Sequence, residues 1–202
     1  MAVCAEFHFD FGSPNAYLAH KVIPEIAART GVNFSYIPVL LGGVFKATSN
    51  ASPMVQFQGI RNKNEYQSLE MKRFITRHSI AFTRNPHFPI NTITIMRGAV
   101  AAEMDGIMDR YVDVVFDLMW KTPRKLDDPA VTKAALDTAD FDGAAILART
   151  QDQAVKDRLA ENTEASVDRG TFGSPTFYIN GEIYFGKDRL ADVEQAIIAA
   201  KG

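Results

Sequence analysis

Residues 5–19 read AEFHFDFGSPNAYLA and decide the fold class, because they join a strand pattern to a helix start across a single glycine. Phe7, Phe9 and Phe11 alternate with polar residues, which is typical of a half-buried strand. After Gly12, the pair Ser13-Pro14 supplies the residue types favoured at the N-cap and the first position of a helix. The stretch therefore predicts a strand that leads directly into a helix, with a hydroxyl at the junction.

Strand patterns recur only towards the two ends of the chain. A second strand over 32–38 follows the first helix, which we expect to end at Gly31. Near the other end, Asn180-Gly181 predicts a hairpin turn between strands at Thr176–Ile179 and Ile183–Phe185, and a last helix follows. The residues between the two ends show no convincing strand. Their helical patterns lie at Leu69–Arg77, Thr92–Met104, Tyr111–Trp120, Pro129–Ala139 and Gln151–Ser166.

This order of elements predicts an α/β fold: a thioredoxin-like domain with an inserted all-helical domain. The thioredoxin-like domain comprises residues 1–38 and 170–202, and the helical domain residues 39–169. Pro175 opens the second hairpin, and a residue before proline prefers extended geometry. A cis bond there would turn the Ser174 backbone outward, where it can pair with an extended peptide such as glutathione.

Composition excludes several classes of function. A net charge of −2 without runs of like charge argues against nucleic acid and anionic membranes as partners. The four histidines form no HxxxH or HxH spacing, so we expect no metal. Cys4 is the single cysteine, which favours a reducing compartment, and the N-terminus lacks a secretory pattern. We therefore expect a cytoplasmic protein.

A hydroxyl at the start of a helix has two interpretations. The position favours an anion, since the helix N-terminus presents unpaired N–H groups and a partial positive charge. Ser13 can therefore hydrogen-bond an external thiolate and lower the pKa of that thiol, although no CxxC pair is present for dithiol exchange. The alternative is a plain N-cap, worth about 1 kcal/mol to the fold.

Four segments resemble the 2-hydroxychromene-2-carboxylate isomerases and their relatives, the kappa-class glutathione transferases, and together they span nearly the whole chain. They are DFGSPNAYLA at 10–19, PVLLGGVFKATSN at 38–50, NPHFPINT at 85–92, and GSPTF with FGKDRL between 173 and 190. The resemblance implies that Ser13 faces the sulfur of glutathione. It further implies contacts to the glycyl end from Asn50, to the cysteinyl amide from Ser174 before Pro175, and to the γ-glutamyl group from Lys187 and Asp188.

Other residues are candidates for the substrate carboxylate or hydroxyls, with surface or capping roles as alternatives. These are Lys46, Arg84, His87 and Asn91, of which the cations suit carboxylates by charge. Asp188 is also a candidate N-cap for the last helix.

The resemblance implies a glutathione-dependent isomerase that acts on a small aromatic carboxylate in aromatic catabolism. In that chemistry the thiolate adds to a conjugated double bond, the bond rotates, and the thiolate leaves. The family also suggests a homodimer. Two alternatives remain open at this point: a kappa-like glutathione transferase or peroxidase, and a non-catalytic thioredoxin-like module that binds peptides.

Overall fold

Strand β1, Ala5–Phe9, lies inside a four-stranded mixed sheet of the order β2-β1-β3-β4. The computed structural model describes residues 2–202. β2, Phe34–Pro38, pairs parallel with β1 through Phe7 and Tyr36, while β3, Thr176–Ile179, pairs antiparallel with β1 through Phe7 and Phe177. β4, Glu182–Phe185, completes the predicted hairpin and forms the outer edge. The two ends of the chain thus build one sheet, and the predicted thioredoxin-like α/β fold is confirmed.

Ten α-helices and one short 3₁₀-helix accompany the sheet within residues 2–202. The helices are α1 Pro14–Thr30, α2 Leu41–Thr48, α3 Pro53–Gln56, α4 Lys63–Arg77, α5 Ile93–Met104, α6 Met108–Trp120, α7 Pro129–Thr138, α8 Gly143–Arg149, α9 Gln153–Asp168 and α10 Leu190–Lys201, with the 3₁₀-helix at Lys187–Arg189. None of them combines the length and the apolar character needed to cross a membrane.

Helix α1 follows the sequence prediction at both ends. Ser13 is its N-cap, and Gly31 ends it in the left-handed conformation with φ of 69°. The Gly31 N–H donates to the Ala27 carbonyl at 2.7 Å. The apolar stripe of Leu18, Val22 and Ile26 on this helix is buried.

The sequence patterns did not predict α2, α3 and α8, and α4 begins six residues before the predicted Leu69. α2 carries Gly42 and Gly43, which disfavour a helix in isolation. It forms because it packs against α9, where the Thr163 hydroxyl accepts the Leu40 N–H at 2.9 Å. α3 and α8 are too short for a periodic signal.

A strand boundary and a helix cap also differ from the sequence prediction. β1 ends at Phe9 instead of Phe11, because the chain turns at Asp10, whose carbonyl accepts the Ser13 N–H at 3.0 Å. The capping role considered for Asp188 is wrong. This residue lies inside the 3₁₀-helix, and its carboxylate pairs with Lys187 instead of capping α10.

Aromatic packing connects the sheet to the helices. Phe9 and Phe11 contact Phe116 of α6, with ring centroids 5.6 Å and 4.8 Å apart. The Trp120 indole N–H donates to the Phe11 carbonyl at 2.8 Å, so Trp120 packs against this segment and positions it. The division into residues 1–38 plus 170–202 and residues 39–169 stays a prediction.

Candidate functional site

The Ser13 side chain bridges the start of α1 and the segment before β3. Its hydroxyl oxygen accepts the Ala16 N–H at 3.2 Å, and its proton is donated to the Ser174 carbonyl at 2.8 Å. Only 5% of Ser13 is exposed. The hydroxyl therefore caps the helix and also contacts the residue that precedes Pro175, which are the two positions that the sequence analysis singled out.

The Ser174-Pro175 peptide bond is cis, as predicted, and so is Phe88-Pro89, which was not. Within residues 2–202 the Ser174 N–H has no hydrogen-bond acceptor, while the Ser174 hydroxyl accepts the Asp10 N–H at 3.2 Å. An unpaired backbone N–H is a group with which an extended peptide can pair.

Lys187 and Asp188 reach the same region through the backbone. The Gly186 N–H donates to the Pro175 carbonyl at 2.9 Å, which holds the 3₁₀-helix against this segment. The Lys187 ammonium is buried, lies 4.9 Å from the centre of the Phe74 ring, and pairs with the Asp188 carboxylate at 2.5 Å. The Asp188 side chain itself remains mostly exposed to solvent.

Asn50 lies at the opposite side of the same segment. Its amide nitrogen donates to the Phe172 carbonyl at 2.7 Å, two residues before Ser174, and its oxygen accepts from Gln56 and from the Ala51 N–H. The predicted glutathione contacts, Ser13, Asn50, Ser174, Pro175, Lys187 and Asp188, are therefore all joined to residues 172–175 by direct or one-residue links.

The four predicted substrate contacts are less closely tied to Ser13. Lys46, Arg84 and His87 are exposed, and none of these side chains makes a hydrogen bond or ion pair within residues 2–202. Arg84 and His87 lie in the loop over 80–90, which has no regular secondary structure. Asn91 precedes the N-cap residue Thr92, and its side-chain oxygen accepts the N–H of Ile93, the first residue of α5, at 3.0 Å.

Asp10 is the feature that sequence reasoning missed. Its carboxylate is fully buried and accepts hydrogen bonds from Gly12, Leu41 and Thr92. Burial raises the pKa of this carboxyl, against the lowering effect of those hydrogen bonds. In the sequence, Asp10 stands out only as an acidic residue at the end of a strand pattern. The alternation of that pattern placed its side chain on the polar face of the strand.

The region around Ser13 contains no thiol. Cys4 is exposed, and it precedes β1, whereas Ser13 follows the other end of that strand. The Tyr17 ring is buried, and its hydroxyl donates to the Ala81 carbonyl at 2.6 Å, which holds the 80–90 loop against α1. The region around Ser13 therefore offers a hydroxyl and the unpaired Ser174 N–H, and an external thiol must supply any sulfur chemistry.

The chain matches a known family of domains. The family model described as a DsbA-like thioredoxin domain matches residues 5–198. The chain belongs to this family. Within this DsbA-like family, one similar protein is the 2-hydroxychromene-2-carboxylate isomerase of Pseudomonas sp. (strain C18), which is 26% identical over 98% of this chain and 91% of its own length.

Two further comparisons place this DsbA-like domain more narrowly. The glutathione S-transferase kappa 1 of Homo sapiens is 23% identical, over 92% of this chain and 86% of that protein. The solved structure of a 2-hydroxychromene-2-carboxylate isomerase superposes with a TM-score of 0.84 at 25% identity, over 98% of this chain and 95% of that one. The predicted resemblance to both groups of enzymes is thereby confirmed over nearly the full length of the domain.

Proposed function

We propose that this protein is a glutathione-dependent isomerase that interconverts 2-hydroxychromene-2-carboxylate, or a close analogue, and its ring-opened isomer. The observation that carries the proposal is the Ser13 hydroxyl at the start of α1, 2.8 Å from the carbonyl of Ser174 in a region without a thiol. Support comes from the isomerase names of full-length relatives. Those names suggest a small aromatic carboxylate as the substrate class, and we propose that it belongs to aromatic catabolism.

The residues around Ser174 fit glutathione, because they offer what a short peptide with charged ends requires. The unpaired Ser174 N–H is suited to the carbonyl of the cysteinyl unit. Lys187 and Asp188 provide opposite charges for the γ-glutamyl amino acid group, and Asn50 provides an amide for the glycyl end. When bound, glutathione supplies a thiolate that adds reversibly to a conjugated double bond.

Ser13 would stabilise that thiolate by exchanging hydrogen-bond partners. In the free protein its proton is donated to the Ser174 carbonyl, so that carbonyl is satisfied while no peptide is bound. A bound peptide N–H can take over the Ser174 carbonyl, and the Ser13 hydroxyl can then turn to the sulfur at little net cost in hydrogen bonds. The exchange couples peptide binding to thiolate stabilisation.

The energies are of the required size. A cysteine-type thiol has a pKa of about 8.5, and lowering it by about two units takes roughly 2.7 kcal/mol. One charge-assisted hydrogen bond contributes about 1.5–3 kcal/mol. The N-terminus of α1 adds about 0.3–1 kcal/mol for an anion. A thiol of lowered pKa also departs readily, which a reversible addition needs.

Three exposed cations, Lys46, Arg84 and His87, are candidates for the carboxylate of the substrate. Since they have no ion-pair partners within residues 2–202, no competing salt bridge has to break when a carboxylate binds. Asn91 is less available, because its side-chain oxygen already accepts the Ile93 N–H. We therefore rank Asn91 last among the four.

The consumption of glutathione tests the proposal. Purified protein, given an o-hydroxybenzylidenepyruvate-type substrate and substoichiometric glutathione, is expected to equilibrate the isomers while free thiol stays constant. The matched control is the same reaction without glutathione, in which we expect no turnover. Stoichiometric loss of thiol, with a stable conjugate seen by mass spectrometry, would falsify the isomerase assignment.

That contrary outcome would establish the second candidate, a kappa-like glutathione transferase or peroxidase, which the similarity to glutathione S-transferase kappa 1 favours. Glutathione binding without turnover of either kind would establish the peptide-binding module instead. We further propose a cytoplasmic homodimer. Sedimentation equilibrium at twice the 22.3 kDa chain mass is the expected result for the assembly.

A further inference from the structure

The Asp10 carboxylate accepts hydrogen bonds from three separate segments of the chain. Its Oδ1 accepts the Gly12 N–H at 2.8 Å, and its Oδ2 accepts the Leu41 N–H at 2.8 Å and the Thr92 hydroxyl at 3.1 Å. Gly12 immediately precedes the cap of α1, Leu41 begins α2, and Thr92 occupies the N-cap position of α5. One side chain therefore joins the starts of three helices.

The backbone of Asp10 contacts both partners of the Ser13–Ser174 hydrogen bond. Its carbonyl accepts the Ser13 N–H at 3.0 Å, and its N–H donates to the Ser174 hydroxyl at 3.2 Å. Any movement of Asp10 is therefore transmitted to the hydroxyl on one side and to the peptide-pairing segment on the other.

The packing around this carboxylate leaves little room for adjustment. A methyl group added at Gly12 would lie 3.0 Å from Thr92 Cγ2 and 3.2 Å from Asp10 Oδ1. Burying a carboxylate also costs free energy, because the charge loses its hydration. Only well-directed hydrogen-bond donors offset that cost. Three such donors are present, and they come from the turn before Ser13, the start of α2 and the start of α5.

We propose that Asp10 is the positioning residue of this site, whose buried carboxylate holds the starts of α1, α2 and α5 in the one arrangement that presents the Ser13 hydroxyl to a bound thiol. The ligand in this statement rests on the proposed function. Asp10 acts by positioning the three helix starts. The direct effect of its charge is the opposite, because a negative charge near the site by itself raises the pKa of a nearby thiol. Geometry and charge therefore predict opposite effects of neutralising it.

The Asp10→Asn variant separates these two effects. Asparagine keeps the size of the side chain, but its NH₂ group must face the Gly12 N–H or the Leu41 N–H, both of which are donors. We expect the thiol pKa of bound reduced glutathione, followed by thiolate absorbance against pH, to rise by about one unit, which is about tenfold less thiolate at neutral pH. An unchanged or lowered thiol pKa would overturn the positioning role.

Thr92 variants test the same positioning role with a smaller change, and they replace Asp10→Asn if that variant does not fold. Thr92→Val removes only the hydroxyl donor and is expected to reduce the thiolate fraction about two- to threefold, whereas Thr92→Ser keeps it. The matched control is Thr132→Val, which removes a buried hydroxyl that donates to the Leu126 carbonyl at 3.0 Å near α7. Equal thiolate loss in Thr92→Val and Thr132→Val would contradict the proposal.

Amide hydrogen exchange of the ligand-free protein supplies a readout that does not depend on glutathione. Asp10→Asn is expected to raise exchange together over 12–17 and 41–45, two segments distant in sequence, while α7 stays protected. Unchanged exchange in either segment would overturn the positioning role and leave the proposed function intact. If wild-type protein does not lower the thiol pKa of glutathione, both proposals fall.

Discussion

At the scale of the residue, Ser13 combines a structural and a chemical role in one hydroxyl. Its oxygen caps α1, and its proton is available for exchange between the Ser174 carbonyl and an incoming sulfur. The two roles use different atoms, since the cap needs a lone pair and the thiolate needs the proton. Loss of the hydroxyl therefore removes both, and a suitable control must remove a cap alone.

Ser13→Ala is expected to raise the thiol pKa of bound glutathione by about one to two units while costing about 1 kcal/mol of stability. Thiolate absorbance of the complex against pH measures the first effect, and urea unfolding the second. Asp128→Ala is the matched control, because Asp128 caps α7 by accepting the Ala130 N–H at 2.9 Å. Equal thiolate in Ser13→Ala and wild type would reduce Ser13 to an N-cap.

Asp188→Asn is expected to weaken glutathione binding about three- to tenfold with a stability change of about 1 kcal/mol, because Asp188 itself is mostly exposed and the asparagine amide oxygen can still accept a hydrogen bond from Lys187. The buried Lys187 ammonium would keep its contact with Phe74 and lose only its carboxylate partner. Titration calorimetry measures the affinity. Asp192→Asn, in the first turn of α10, controls for the loss of one acidic charge there. Unchanged affinity in Asp188→Asn would exclude it from the binding site.

At the scale of the element, two glycines in helices have opposite surroundings. A methyl group at Gly98 in α5 would overlap the Tyr111 hydroxyl of α6, which donates to the Ile95 carbonyl at 3.1 Å. A methyl group at Gly42 in α2 meets no atom within 4 Å. The close approach of α5 and α6 thus depends on the missing side chain, whereas α2 tolerates a larger residue.

Gly98→Ala is expected to destabilise the protein by about 1–3 kcal/mol through overpacking. Gly42→Ala is expected to be neutral or to stabilise by up to about 1 kcal/mol, because alanine favours a helix and limits the unfolded chain. Chemical denaturation of both variants compares the two values. Similar destabilisation in both would mean that the approach of α5 to α6 does not require Gly98.

At the scale of the whole molecule, two histidines connect distant elements through the core. His8 contacts Ser166 of α9 at 2.8 Å and Glu6 at 3.0 Å, while His20 of α1 contacts Asp113 of α6 at 3.2 Å. Burial lowers the pKa of both imidazoles, against the raising effect of their carboxylate partners. The folded protein therefore binds these protons less readily than the unfolded chain.

Stability is expected to fall with acidification below about pH 6.5, where the unfolded histidines take up protons that the folded ones do not. The free energy of unfolding should drop by about 1–2 kcal/mol between pH 7 and about pH 5.5, as measured by urea unfolding. His20→Gln should reduce this slope, and the exposed His87→Gln should not. A flat profile in wild type would contradict the direction of both pKa shifts.

The sequence by itself determined the local features of this protein. The alternation at Phe7 and Phe9, the cap at Ser13, the stop at Gly31 and the turn at Asn180-Gly181 all appear in the structure where they were expected. Each depends on the conformational preferences and burial of residues within a few positions of one another, which a linear pattern records.

Only the tertiary structure decided how the site is assembled. The Ser13 hydroxyl donates a hydrogen bond to a carbonyl 161 positions away in the sequence. Helix α2 forms despite its two glycines because it packs against α9. Asp10 looked like the polar side of a strand, yet its carboxylate is buried where three helix starts converge. Hydrogen-bond donors from distant segments offset the desolvation cost of such a charge. A local sequence pattern does not show which distant donors these are.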